Sequence, residues 1–463
     1  MKDIERPLDP HAVTSLQGRF RGDVVLPGTP DYDAARVVWN GMIDRYPAIV
    51  VRPTDAEDVV SAVGFAREQD LVIAVRGGGH SVGGFSTCDG GMVIDLSRMR
   101  GATVDPERGE AWTNGGAHLR ELDEAAQAFE MACPVGVVGH TGVAGLTLGG
   151  GMGRLQRRFG FTIDNLLSVD LVTADGRLLH VSDDQNADLF WGVRGAGANF
   201  GVATSFRFRV HPLGPAVTQG WVAHPVERVH EVAAMYGELG TTVPDELWLS
   251  LGLAIAGPDD PWPELLGQPV VRLGVTHCGT EDAAERDLRA VRANSLLADT
   301  IERRSYLAVQ GQSDEAMAWG KRFYMKGGYV DEFTPELVDT CVEQIHAAPS
   351  GGCEIGFWAQ GGAIGRMPAD AMAFTGRDAG FWIGVEAFWL DPAEDESHME
   401  WGRAAWDALT PFSTAGHYVN DMVETGERVV RAIYGDAKYE RLVELKRTYD
   451  PDNVFRLNQN VKP

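Results

Sequence analysis

Three glycine-dense segments constrain this chain more than any other part of its sequence. The first, Arg76-Gly77-Gly78-Gly79-His80-Ser81, directly follows the apolar run at residues 71–75 (LVIAV). Consecutive glycines after a buried strand let successive backbone N–H groups turn toward one point. That makes either a nest for an anion such as a diphosphate or a tight structural turn. The second segment, residues 136–153 (GVVGHTGVAGLTLGGGMG), has two glycine-rich turns flanking an apolar stretch at 143–148. The third, residues 194–202 (RGAGANFGV), follows Leu189-Phe190-Trp191. The first run lacks the GxGxxG spacing of a Rossmann turn, and no GxxxxGK[ST] phosphate loop occurs. Three such regions close together ask for a long cofactor touched mostly through main-chain groups.

Charge and cysteine content narrow the partners. A formal charge of −25 argues against nucleic acid and against an anionic membrane surface, both of which need clustered Lys and Arg. The expected partner is a small molecule, on a monomer or homodimer. No run reaches the ~18 apolar residues of a membrane span, and the opening MKDIERPLDPHAV holds no apolar leader. Five cysteines, odd in number and without a CxxC pair, do not make a disulfide framework, so a cytoplasmic location is expected. No His/Asp/Glu cluster has zinc-like spacing, and no metal is expected.

Periodicity predicts short strands alternating with helices. Strands are expected at residues 48–52, 71–75, 92–96, 111–114 and 166–173, and a half-exposed strand at 204–211, where apolar and polar residues alternate. A helix is expected over 54–68, opened by Thr54 with Asp55 and Glu57 in its first turn. Composition shifts near residues 212–214, beyond which nine tryptophans fall between Trp221 and Trp406. Strands are expected there at 216–222, 246–255, 270–277 and 380–390, and helices at 283–293, 335–347 and 397–410. One last helix, 427–449, should stop at Asp450-Pro451. The predicted domains are 1–212, with a core at about 43–213, then 213–424, and a segment 425–463 returning to the first.

Four motifs in order carry a family resemblance: VRGGGHSVGGFSTCDGG, TGVAGLTLGGGMG, DLFWGVRGAGANFGVATSF and YDPDNVFRLNQN. Together they resemble the berberine-bridge-enzyme-like branch of the vanillyl-alcohol-oxidase / p-cresol-methylhydroxylase flavoproteins, in the style of its singly linked bacterial members such as 6-hydroxynicotine oxidase. The resemblance implies an α+β fold: a two-part FAD-binding domain and a substrate domain with a large antiparallel sheet backed by helices. It implies that Arg76, Gly77, Gly78, Gly79, His80 and Ser81 meet FAD, with Val137, Gly139, His140, Thr141, Gly142, Gly145, Gly149 and Val202. Asn458 and Asn460 should approach the isoalloxazine from the chain end.

In this family the histidine of RGGGHS bonds the flavin 8α-methyl carbon, which here is His80. Some members add a cysteinyl bond from a residue eleven positions before the GGG run. That position is Val138 here, and Cys133 lies five residues too early, so a single bond through His80 is expected. His140 either orients the ring, relays a proton or is a satisfied loop histidine.

The resemblance implies hydride transfer from a C–H next to O or N of a small substrate to FAD, with O2 as final acceptor. A dehydrogenase using another acceptor and a non-catalytic flavin carrier are the alternatives. Sugar-oxidising relatives use a tyrosine in a YxNY-like segment as base; the matching text is Tyr418-Val419-Asn420-Asp421, where an acid replaces the second tyrosine. Tyr418 is therefore either a base or a packed ring. Trp358 and Gln360 share one face of an alternating strand, as do Gly384 and Glu386. Burial of Glu386 among apolar neighbours would raise its pKa toward that of a working base, unless it pairs with Arg or Lys. Tyr324 and Lys326 are pocket lining or structural.

Overall fold

A computed structural model of the chain describes residues 8–257, 263–293, 296–414 and 416–463. Residues 1–7, read above as part of a polar opening, and Trp262 lie outside the described residues. Three main sheets organise the rest. The first contains Ile49–Arg52, Met92–Asp95 and Ile73–Arg76 in parallel, with Asp23–Val25 antiparallel at one edge. Its three parallel strands are apolar up to their last residues, Arg52, Arg76 and Asp95, as a sheet covered on both faces requires. The helix Ala56–Glu68 packs its Val59, Ala62, Val63 and Phe65 into the same core. Asp55, rather than Thr54, opens that helix: its carboxylate accepts from the N–H groups of Glu57 and Asp58. Thr54 instead gives its hydroxyl and N–H to Asp58.

The second sheet is antiparallel, ordered Ala102–Asp105, Glu110–Asn114, Gly201–Arg209, Leu166–Thr173, Leu178–Ser182. Gly201–Arg209 lies at its centre, and from residue 204 onward buried residues alternate with partly exposed ones, the half-exposed strand that alternation predicted. Only its first residues are covered on both faces: Val202 lies in the core shared with the first sheet, and Ala203 in the core on the other side. The expected helix over 427–449 is two helices, Glu427–Tyr434 and Asp436–Tyr449. Gly435 between them has φ +73°, a left-handed conformation that ends the first helix and starts the second at a new angle. Both pack their apolar sides, Ile433, Tyr434, Leu442 and Leu445, into the core of the second sheet.

The third sheet is a single antiparallel layer that includes Ala216–Pro225, Pro269–His277, Leu247–Ile255, Cys353–Ala359, Phe381–Trp389 and Arg322–Val330, in that spatial order. Its strands alternate strictly. Leu249, Leu251, Ile355, Phe357, Ile383 and Val385 face the helices Val229–Thr242, Pro335–His346 and Asp395–Leu409 and form one core. Trp248, Ser250, Glu354, Trp358, Trp382 and Glu386 occupy the opposite face. That second face is free to build a site. No helix among the described residues is long and apolar enough to cross a membrane.

Candidate active site

A cavity of about 650 Å³ lies between the glycine turns and the free face of the third sheet, in the size range of small-molecule and cofactor sites. The first glycine turn leaves the carboxyl end of Ile73–Arg76 and runs along the wall. It meets the second glycine segment at backbone contact: a Cβ on Gly78 would lie 2.1 Å from the Gly142 nitrogen. Only glycine allows two main chains this close. Around Gly145, by contrast, a Cβ would meet nothing within 4 Å, so the wall there opens onto free space. Four buried polar atoms on the wall, Ser86 Oγ, Trp248 Nε1, Asn458 Oδ1 and Gln459 Oε1, find no partner among the described residues. Buried polar groups are normally satisfied, so such atoms mark where a polar ligand belongs. A flat, hydrogen-bonding cofactor fits this cradle.

The residues singled out from sequence divide into two layers. Gly77, Gly78, Gly79, His80, Ser81, Val137, Thr141, Gly142, Gly145, Gly149 and Asn458 line the cavity, and Tyr418 and Glu386 do too. Arg76, Gly139, His140, Val202, Asn460 and Gln360 stand behind it. Arg76 is buried and committed elsewhere, donating to the carbonyls of Ala35 and Val37 and to Asp95 at 2.8 Å. Val202 is fully buried in the core of the first sheet. Gln360 lies just past the end of Cys353–Ala359; its side chain donates to the Trp358 carbonyl, and its own carbonyl takes Arg157. Loss of strand geometry there removes it from the face that Trp358 shares.

His80 is held on every side. The Trp39 indole stacks on it with centroids 4.8 Å apart and planes at 17°, and Trp319 meets it edge-on. Its Nε2 is 2.7 Å from His140 Nδ1. Burial first, then the neighbouring His140 and His118, push its pKa down to about 3, so the ring is neutral at ordinary pH.

Tyr418 is buried, and its hydroxyl oxygen accepts from the N–H groups of Gly151 and Met152 and from Asn420 Nδ2. Burial and the nearby Asp421 outweigh those donors and raise its pKa to about 12. The ring ties the chain end to the glycine turn.

Three carboxylates converge opposite. Glu354 and Glu386 are direct cross-strand partners, and Asp421 faces them from the segment after Tyr418. Like charges side by side resist ionising together. Burial first, then Glu354 and Asp421, raise the pKa of Glu386 to about 8. Burial raises Asp421 to about 7, against the hydrogen bond it receives from Trp382 Nε1 at 2.8 Å. The indoles of Trp248 and Trp358 pack edge to face beside them, and Trp382 is tilted against Trp358, with centroids 5.2 and 5.3 Å apart.

Reading the sequence did not single out Glu354, Trp248, Trp382 or Arg154 as site residues. Strict alternation with Glu386 and Trp358 was the available signal for the first three, once strand pairing is known. Arg154 carried none: its guanidinium is buried beside Gln310 and Ser313, and burial lowers its pKa to about 10.

Fold and cavity define a protein with room for a flat cofactor between a glycine-rich wall and the free face of an antiparallel sheet. The comparisons make this specific. Residues 47–182 match the FAD binding domain model and residues 417–462 the berberine and berberine-like model. An FAD-linked oxidoreductase of Dictyostelium discoideum is 31% identical over 92% of this chain and 91% of its own length. An (R)-6-hydroxynicotine oxidase of Paenarthrobacter nicotinovorans is 31% identical over 96% and 97%. The crystal structure of 6-hydroxy-D-nicotine oxidase from Arthrobacter nicotinovorans superposes with a TM-score of 0.85 at 28% identity, covering 96% of this chain and 98% of that one. A chitooligosaccharide oxidase structure shares the fold, with a TM-score of 0.86 at 22% identity over 98% and 99%. The chain belongs to the berberine-bridge-enzyme-like family of FAD-linked oxidoreductases, and it has the α+β fold with a large antiparallel sheet that the motifs implied.

Proposed function

We propose that this enzyme is an oxidase that holds FAD by one covalent bond to His80, takes hydride from a C–H next to N or O of a small ring-bearing substrate, and is reoxidised by O2. FAD supplies the hydride acceptor. The observation that carries the reading is the pairing, across one cavity, of a glycine cradle containing His80 with a sheet face of indoles and carboxylates. Oxidases among its relatives support the use of O2. A single bond is favoured because Val138 lines the cavity, whereas Cys133 is fully buried outside it. All five cysteines are free and buried, which suits a cytoplasmic location.

On the substrate side, Trp248, Trp358 and Trp382 supply flat apolar surface for a ring. Glu386 takes the O–H or N–H proton, with Glu354 and Asp421 setting its affinity for it. Tyr418 positions the glycine turn rather than acting as base, since its oxygen is already engaged by three donors.

Anaerobic mixing with a panel of alcohols and amines tests the activity. The yellow colour should bleach with a substrate and return in air. Bleaching without return in air would indicate a dehydrogenase, and no bleaching by any compound a carrier. With a substrate in hand, kcat/KM should rise with pH through about 8, as Glu386 deprotonates. Glu386→Gln should remove that limb and lower kcat by roughly 10²–10⁴-fold, the usual worth of a positioned base. An unchanged limb would exclude Glu386.

The same carboxyl predicts a substrate-free result. Its pKa is raised from 4.5 to about 8, so between those values the folded state holds a proton that the unfolded state releases. Its contribution is full below 4.5 and is lost as pH rises through about 8. Glu386→Gln should therefore raise Tm relative to wild type at pH ~9 and not at pH ~4.5; differential scanning calorimetry at both values decides it.

A further inference from the structure

His140 stands behind the cavity wall, yet its hydrogen bonds are directed in a way that bears on His80. Its Nε2 lies 3.3 Å from the Asp314 carbonyl oxygen. A carbonyl only accepts, so Nε2 is the nitrogen that carries the hydrogen, and Nδ1 is left as an acceptor. His80 Nε2 therefore donates to His140 Nδ1 across 2.7 Å. That leaves His80 Nδ1 with the free lone pair, and no described residue hydrogen-bonds it. Asp314 is itself fixed: its carboxylate accepts from Gly139 N at 2.6 Å and pairs with Arg120. Trp39, stacked on His80, is anchored by its Nε1 donating to the Met317 carbonyl at 2.6 Å. Stacking and hydrogen bonds together hold the ring against the rotation that would exchange its nitrogens.

We propose that His140 is a positioning residue for flavin attachment, directing the bond to Nδ1 of His80 and receiving the proton from Nε2. The inference rests on the covalent reading of His80 given above. In the step, the 8α-methyl group loses one C–H proton to solvent, and the Nδ1 lone pair forms the new N–C bond. The isoalloxazine ring takes up two electrons. Alkylation at Nδ1 makes the His80 imidazole cationic, and it becomes neutral by passing its Nε2 proton to His140 Nδ1. Dioxygen then removes the two electrons, together with two protons, as hydrogen peroxide and restores the oxidised ring. The neutrality of His80 that burial enforces keeps its lone pair available throughout.

The experiment compares wild type, His140→Ala and His140→Gln as purified, by acid precipitation and intact mass. Wild type should carry one FAD covalently. His140→Ala should bind FAD, with the colour passing into the acid supernatant and the covalent fraction at least tenfold lower. Added imidazole should restore attachment in that variant, because it supplies the missing acceptor; a purely structural role would not be rescued by it. His140→Gln, whose side-chain oxygen accepts the His80 hydrogen bond but is a poor base, should stay below a tenth of wild type. Fully covalent FAD in His140→Ala overturns the proposal. If His140→Ala fails to fold, the wild-type flavopeptide decides: NMR of the proteolysed peptide should show Nδ1 substitution, and Nε2 substitution overturns it. A wild-type pellet that is colourless after acid treatment removes the covalent reading itself, an outcome distinct from either.

Discussion

His80→Ala should abolish covalent flavin completely: acid-precipitated wild type stays yellow, whereas the variant gives a colourless pellet and a yellow supernatant. Among the described residues that line the cavity, His80 is the one imidazole, and no cysteine is present. The cysteines are buried thiols; Cys133 in particular is fully buried, and desolvation drives its pKa well up, away from the thiolate needed for attack. Cys133→Ser should accordingly leave the attachment unchanged, and loss of a second bond in that variant would show that the spacing from Gly149 misplaces the linking position. FAD should still bind to His80→Ala, because the cradle is main chain. The close approach of Gly78 and Gly142 does not depend on the imidazole, and Asn458 and Gln459 keep their unpaired oxygens on the wall. A wild-type pellet without colour would refute covalent attachment.

Lys446→Met should cost about 3–5 kcal/mol, the usual penalty for breaking a buried ion pair from one side. Lys446 is fully buried, and its ammonium donates to the carbonyls of Asn199 at 2.8 Å and Phe455 at 2.9 Å and to Asp450 at 2.6 Å. Asp450 also accepts from the N–H groups of Val454 and Phe455. One ammonium thus ties the third glycine segment to the chain end that brings Asn458 and Gln459 to the cavity. Without it, a carboxylate and two carbonyls lose their partner in a dry environment. A fall in Tm of roughly 3–5 °C is expected for a chain of 463 residues, with weaker retention of FAD in a His80→Ala background. Adding Asp450→Leu to Lys446→Met should recover part of the loss, because the stranded charge goes with it. A single variant melting within ~1 °C of wild type would show that the pair contributes little.

Much of the cradle was legible because its chemistry is local. A glycine run after an apolar strand states a backbone requirement that no distant residue can alter, and His80 stands out as a side chain that turn geometry does not explain. Strands were legible for the same reason: alternation marks Leu247–Ile255 and Phe381–Trp389 without reference to their partners. Where the reading failed, the deciding contact was non-local or the competing groups were adjacent. Gln360 continues the alternation of Trp358 but lies past the end of its strand, where its carbonyl takes Arg157. Thr54 and Asp55 are both good caps, and only the path of the chain decides which carboxylate or hydroxyl meets the helix. Gly435 inside a helical pattern was passed over, although its left-handed φ ends the helix.

The sequence by itself determined that main chain meets a long ligand, through glycines whose missing side chains allow the approach, and its four motifs in order carried the flavoprotein resemblance. Tertiary structure alone decided the chemistry facing that ligand. Glu354 and Glu386 are 32 positions apart, and only strand register makes them neighbours, so that the charge of one raises the pKa of the other, Glu386. His80 and His140 are 60 positions apart, and only the packing of Asp314 against the second glycine turn orients one imidazole toward the other. Proton affinity and tautomer are set by what surrounds a group within a few ångströms, and that surrounding exists only once the chain has folded.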